Sequence, residues 1–144
     1  MTKTTHTTNC FNTFIRVAED CPAHSGEEPP PRAGNPTVAG LQYAMIAQAP
    51  YKYTSDDVVF ATSARGRQLG AKATKQERSL AREEFFSRGQ ACLRASSLGK
   101  RIGWGIHADG EGRVALYAVD SKRYEALARD PGIAQVRAMR SKRG

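Results

Sequence analysis

A chain of 144 residues with 40% hydrophobic and 25% charged side chains can bury about two-thirds of its unfolded surface in one core, which excludes wholesale disorder. No apolar run approaches the ~20 residues that cross a bilayer, and the opening MTKTTHTTNC lacks the apolar stretch of a secretory signal. Three cysteines in no CxxC or disulfide-like spacing fit a reducing compartment, so the expectation is a cytoplasmic protein without membrane association. The net charge of +8 is lopsided. Residues 1–62 hold four Lys/Arg against six Asp/Glu, and residues 63–144 hold eighteen against eight. That asymmetry points to an anionic partner, with a nucleotide or nucleic acid the expected class.

Residues 1–10 read as a polar N-terminal tail, 11–140 as one domain, and 141–144 as a basic end. Phe11 to Ala18 alternates as a strand, with Phe11, Thr13, Ile15 and Val17 on one face and Asn12, Phe14 and Arg16 on the other. Residues 19–36 form a proline-rich loop, stiffened where Pro29 to Pro31 are consecutive. Asn35-Pro36 predicts a helix start. The helix stripe is Val38, Leu41, Met45 and Gln48, and the helix ends before Pro50. Val58 to Ala64 reads as a second strand; a helix capped by Thr54 or Ser55 competes, because acidic residues follow the cap.

Thr74-Lys-Gln-Glu77 is a capping-box pattern that opens a helix running to Arg88 and closed by Gly89. Its predicted apolar face is Leu80, Ala81 and Phe85, and its wet face is the basic stripe Lys75, Arg78 and Arg82. Ile102–Ala108 and Arg113–Asp120 predict a hairpin around Asp109-Gly-Glu-Gly112. The second of these strands is apolar on both faces, which predicts a central position. Ser121 caps a helix over 122–129, and GIAQVRAMR returns as an edge strand. The pattern is β-α-β-α-β-β-α-β: an α+β single domain with about three helices on a largely antiparallel sheet.

The densest chemistry lies in CLRASSLGKRIGWGIH, residues 92–107. Trp104 between two glycines can stack on a planar ring, with Arg94, Lys100 and Arg101 supplying cations and His107 following on the same strand. These five are the candidate ligand-binding residues. The competing structural reading is a core tryptophan with glycines making room. Cys92 with His107 is the alternative nucleophile and base, with Asp56 or Asp57 beside them. A helix end preceding Cys92 disfavours its thiolate. The proline-rich segment Glu28 to Pro36 is a third candidate, as a protein-interaction element. Zinc on His6, Cys10, Cys21 and His24 is rejected, since a strand between the cysteines separates them by roughly 25–30 Å at ~3.3 Å per residue. No metal site, cofactor motif or recognised catalytic signature is present.

Four segments, NTFIRVAEDCP, PYKYTSDDVVF, FFSRGQACLRASSLGKRIGWGIH and MRSK, resemble the microbial family catalogued as domain of unknown function 6157. The resemblance runs from about Thr7 to Lys142, and GWGIH with CLR upstream is its most specific part. It implies a stand-alone single-domain protein and brings no catalytic residue to transfer.

Overall fold

The computed structural model describes residues 6–141. Four strands form one sheet in the order β3-β2-β1-β4: β1 is Thr13–Arg16, β2 Trp104–Ala108, β3 Val114–Ala118 and β4 Ala134–Arg137. β1 runs antiparallel to β2 and parallel to β4, and β2 and β3 form an antiparallel hairpin. The sheet is thus mixed but largely antiparallel, and the chain is an α+β single domain, as its pattern implies. No helix among the described residues is long and apolar enough to cross a membrane.

Strand pleating divides the interior into two cores. On one face Ile15, Ile106, Ala108 and Val114 meet α1 (Val38–Gln48) and α2 (Ser55–Thr62) through Ile46 and Val58, all buried. On the other face Phe14 packs edge-on to Tyr124 of α6 (Lys122–Ala128), with centroids 5.0 Å apart and Leu127 alongside. Each fully buried side chain of this size contributes about 1.5–3 kcal/mol. Two short helices, α3 (Ala64–Leu69) and α5 (Ser97–Lys100), and a longer one, α4 (Lys75–Phe85), complete the set. α4 attaches by a satellite cluster of Phe60, Ala81 and Phe86.

Several expectations are corrected. Residues 58–64 are not a strand. Thr54 Oγ1 accepts from the Asp57 N–H at 3.2 Å, Asp57 Oδ2 accepts from the Thr54 N–H at 3.0 Å, and this reciprocal cap makes VVF helical despite its β-branched residues. α1 starts two residues later than predicted: Thr37 is its cap, and Asn35 instead closes a tight turn with Arg32. Its buried stripe is Ala39, Gln42 and Ile46, because the helix is apolar nearly all round and docking, not periodicity, selects the face. α4 ends at Phe85, short of Arg88, and Leu80 on its predicted apolar face is exposed. The expected wet stripe is partly engaged, since Arg82 pairs with Asp57 at 2.6 Å and Arg78 donates to the Gly70 carbonyl.

β3 is an edge strand, not a central one. Apolar residues on both its faces report cover above and below, from α1 and α6, and say nothing of lateral neighbours. Its outer edge is partly protected. The Tyr51 N–H donates to the Val114 carbonyl at 2.9 Å, and the Val114 N–H donates to the Tyr53 carbonyl at 2.8 Å.

Gly105 shows how tightly the second core closes. A Cβ there would stand 2.6 Å from both Phe14 Cζ and Tyr124 Cε2. Overpacking of this kind costs about 1–3 kcal/mol. Gly105→Ala is expected to lower unfolding free energy by that amount in a urea titration; an unchanged midpoint would show that the Phe14–Tyr124 pair yields freely.

Candidate functional site

Gly103 and Trp104 meet the long loop of residues 19–36 where it crosses the sheet. Gly103 has φ +89°, and a Cβ there would lie 2.2 Å from the Ser25 carbonyl oxygen, so only glycine admits this crossing. The Glu27 N–H donates to the Ile102 carbonyl at 3.0 Å, and Trp104 Nε1 donates to the Glu27 carbonyl at 2.8 Å. The indole rests on Tyr43 of α1, with centroids 5.3 Å apart, and lies 2.9 Å from where a Cβ on Gly26 would be. Trp104 is therefore engaged by the protein itself. It clamps a loop, with the glycines making room for the crossing and the core.

That clamp sets one wall of a cleft. Directly after Glu27 the stiff run Pro29 to Pro31, followed by Arg32, faces the start of α1 and the segment Ser97 to Ile102 across about 720 Å³. Arg32 and Arg101 are the charged residues of the lining, and no carboxylate lines it. Thr37, also in the lining, caps α1 by accepting from the Gly40 N–H at 3.1 Å. No acidic residue occupies the first turn of α1, so the positive end of its dipole is not offset there. A smaller depression of about 410 Å³ continues along Val38, Ala39 and Ser97 as far as Cys92.

The five predicted site residues do not share one surface. Arg101 lines the cleft and Trp104 holds its wall. Arg94 instead donates from Nε to the Arg137 carbonyl at 2.7 Å, beside β4. Lys100 ends α5 and does not line the cleft. His107 is on the opposite face of the sheet from Trp104, because three positions along a strand reverse the side. Arg32 and Thr37 were missed; the signal was a cation directly after three prolines and before a helix cap.

His107 has its own partners. Tyr51 Oη lies 2.8 Å from His107 Nδ1 and 2.8 Å from Tyr117 Oη, and Tyr51 holds φ +60°, a strained value for a bulky residue. Burial pushes the imidazole below its ordinary pKa, with Asp109 opposing and Arg123 adding to the effect. Burial also raises the Tyr51 phenol, reinforced by Tyr117.

The other catalytic candidates are already engaged or lie apart from one another. The Asp56 carboxylate accepts from Thr7 Oγ1, the Thr8 N–H and Thr8 Oγ1 at 2.6–2.7 Å, so residues 6–10 are docked on α2 while residues 1–5 lie outside the described residues. Burial works against the Asp57 charge, but the Thr54 N–H and the Arg82 guanidinium outweigh it and hold the carboxyl below its usual range. Cys92 borders a cavity lined by Thr13, Ile15 and Val114 on the face covered by α1 and α2; the sheet stands between it and His107, so the two cannot act as nucleophile and base. Among the described residues no group of three or more His, Cys, Asp or Glu side chains is placed to hold a metal ion.

A model of the Family of unknown function (DUF6157) matches residues 5–144. The chain belongs to this family. The match covers all four segments that carried the resemblance. No curated protein and no solved structure matches the chain.

In this DUF6157 protein the indole clamp and the imidazole network are separately testable. Trp104→Phe keeps a ring against Tyr43 but removes the bond to Glu27. Hydrogen exchange at residues 25–34 should rise at least several-fold in that variant with β2 unchanged, and unaltered loop protection would show that the clamp is dispensable. For His107, the folded state binds its proton less readily than the unfolded state, whose ordinary value is 6.5. Its contribution to stability is therefore complete above about 6.5 and is lost as pH falls through the lower folded value. His107→Asn, which retains an acceptor for Tyr51, should flatten the stability profile below pH 6.5, measured by urea unfolding as the pH is lowered.

Proposed function

We propose that this protein binds a small organic anion, a mononucleotide or another phosphate- or carboxylate-bearing molecule, in the cleft between the proline run and the start of α1. The observation that carries this reading is a cleft of about 720 Å³ whose charged lining is Arg32 and Arg101 with no carboxylate. Its volume lies within the range of small-molecule sites. Two guanidiniums offer paired donors to a phosphate or carboxylate, and Thr37 and Ser97 line the same space. Trp104 acts as a positioning residue: it sets the wall that bears Arg32 without touching the ligand.

The strongly basic second half of the chain is consistent with anion attraction from a distance. Stacking of a base on Trp104 is no part of the reading, because Tyr43 and Gly26 already flank that ring. The expected cytoplasmic setting belongs to the same proposal, and the free state of Cys10, Cys21 and Cys92 suits it.

Calorimetric titration with inorganic phosphate and with mononucleotides tests the site. A hydrogen bond to a charged partner is worth about 1.5–3 kcal/mol, so Arg32→Ala and Arg101→Ala should each weaken binding roughly tenfold or more. Arg94→Ala and Lys100→Ala should leave affinity unchanged. The reverse pattern, or no binding at low salt, overturns the reading. A steep salt dependence with single-stranded RNA but no mononucleotide binding would favour an extended polyanion instead.

A further inference from the structure

A second, more enclosed cavity of about 170 Å³ lies beneath the docked N-terminal segment. Its wall includes Thr8, Cys10, Ser55, Cys92, Arg94 and Val136. Cys10 arrives on the segment that Asp56 anchors to α2, and Cys92 immediately precedes the 3-10 turn Leu93–Ala95. Tertiary structure alone brings these two thiols to one space, and both are free. Thr8 Oγ1 donates to Asp56 and therefore accepts from Ser55 Oγ at 2.8 Å, and the two sulfurs are the soft donors of the lining. The cavity lining contains no carboxylate and no imidazole.

Burial raises the Cys10 thiol, the neighbouring Cys92 raises it further, and a hydrogen bond with Thr13 works the other way. Two soft donors in a mostly apolar pocket select a particular kind of ligand. Zinc completes a tetrahedron of four donors, and magnesium or calcium needs six or more oxygens; neither set is present. Thiolates select soft cations such as Cu(I), and a monovalent d10 ion is satisfied by two of them.

We propose that Cys10 and Cys92 form a two-coordinate site for a soft monovalent metal cation, with Cu(I) as its biological representative. Binding forms two metal–sulfur bonds, releases both thiol protons to solvent and changes no oxidation state. The resulting bis-thiolate complex carries one negative charge, in a lining that contains no carboxylate to repel it. A bridging ion spans a wider sulfur separation than the ~2.05 Å of a disulfide. This site is independent of the arginine cleft, and either can fail alone.

The test uses the full-length reduced protein under anaerobic conditions, with Cu(I) supplied in competition with bicinchoninate. One equivalent of Cu(I) is expected, bound more tightly as pH rises because two protons leave. Cys10→Ser and Cys92→Ser should each lose at least a hundredfold in affinity, and Cys21→Ser should retain it. Circular dichroism checks that each variant folds, with Cys10→Ala and Cys92→Ala as second variants if serine disturbs the pocket. The metal should also raise the thermal midpoint of the wild type and not that of Cys92→Ser. Equal loss in Cys21→Ser, or wild-type affinity no greater than that of Cys92→Ser, overturns the site. So does closure of Cys10 and Cys92 to a disulfide under mild oxidant by a reduced protein that binds no Cu(I).

Discussion

β1 is hydrogen-bonded along both edges, and its four residues serve both cores, Phe14 on the α6 side and Ile15 on the side of α1 and α2. Every other strand is placed through it, directly or through β2. Because residues alternate sides with a period of two, the register Phe14 to His107 and Ile15 to Ile106 also decides which chemistry shares a surface. Trp104 goes with the α1 core and His107 with α6. No rotamer change can reunite them, since the sheet itself lies between.

On the α1 side the consequence is a chain of dependent contacts. The positive φ of Gly103 lets Ser25 cross above the strand, and Trp104 fixes Glu27. The three prolines that follow convert a fixed point into a fixed direction, since each ring restricts its own φ. A loop of this length without secondary structure pays heavily in entropy if left free. Here the indole bond and the proline run share that cost, and the result is a walled cleft with Arg32 on its rim. On the other side the same pleat yields only a packed network, Tyr51 with His107 and Tyr117, held by a tyrosine in left-handed backbone.

Much of the fold was legible in the chain, and unevenly so. Local signals that are satisfied locally were readable: the Thr74 capping box, the Ser121 cap, the Asp109 to Gly112 turn, and the return strand at 134–137. The helix at 55–62 was misjudged because β-branched VVF and the Thr54 cap point in opposite directions, and a reciprocal cap seated against a core outweighs a weak strand preference. The edge position of β3 was misjudged because apolar character measures cover on the faces only. Of the candidate site, Arg101 lines the cleft, while Arg94, Lys100 and His107 were grouped with it through nearness in sequence alone.

By itself the sequence determined the α+β class, the four strands that form the sheet and the starts of α4 and α6, since those depend on periodicity and on caps within a few residues. It also marked residues 92–107 as unusual. Only the tertiary structure decided what that mark meant. The loop crossing at Ser25, the shared lining of one cleft by Arg32 and Arg101, and that of one cavity by Cys10 and Cys92 join residues far apart in the chain. Such contacts are set by strand register and docking angle, and no local pattern encodes either one. The glycines around Trp104 were the one local trace of it, for they mark where another part of the chain must pass closer than any side chain allows.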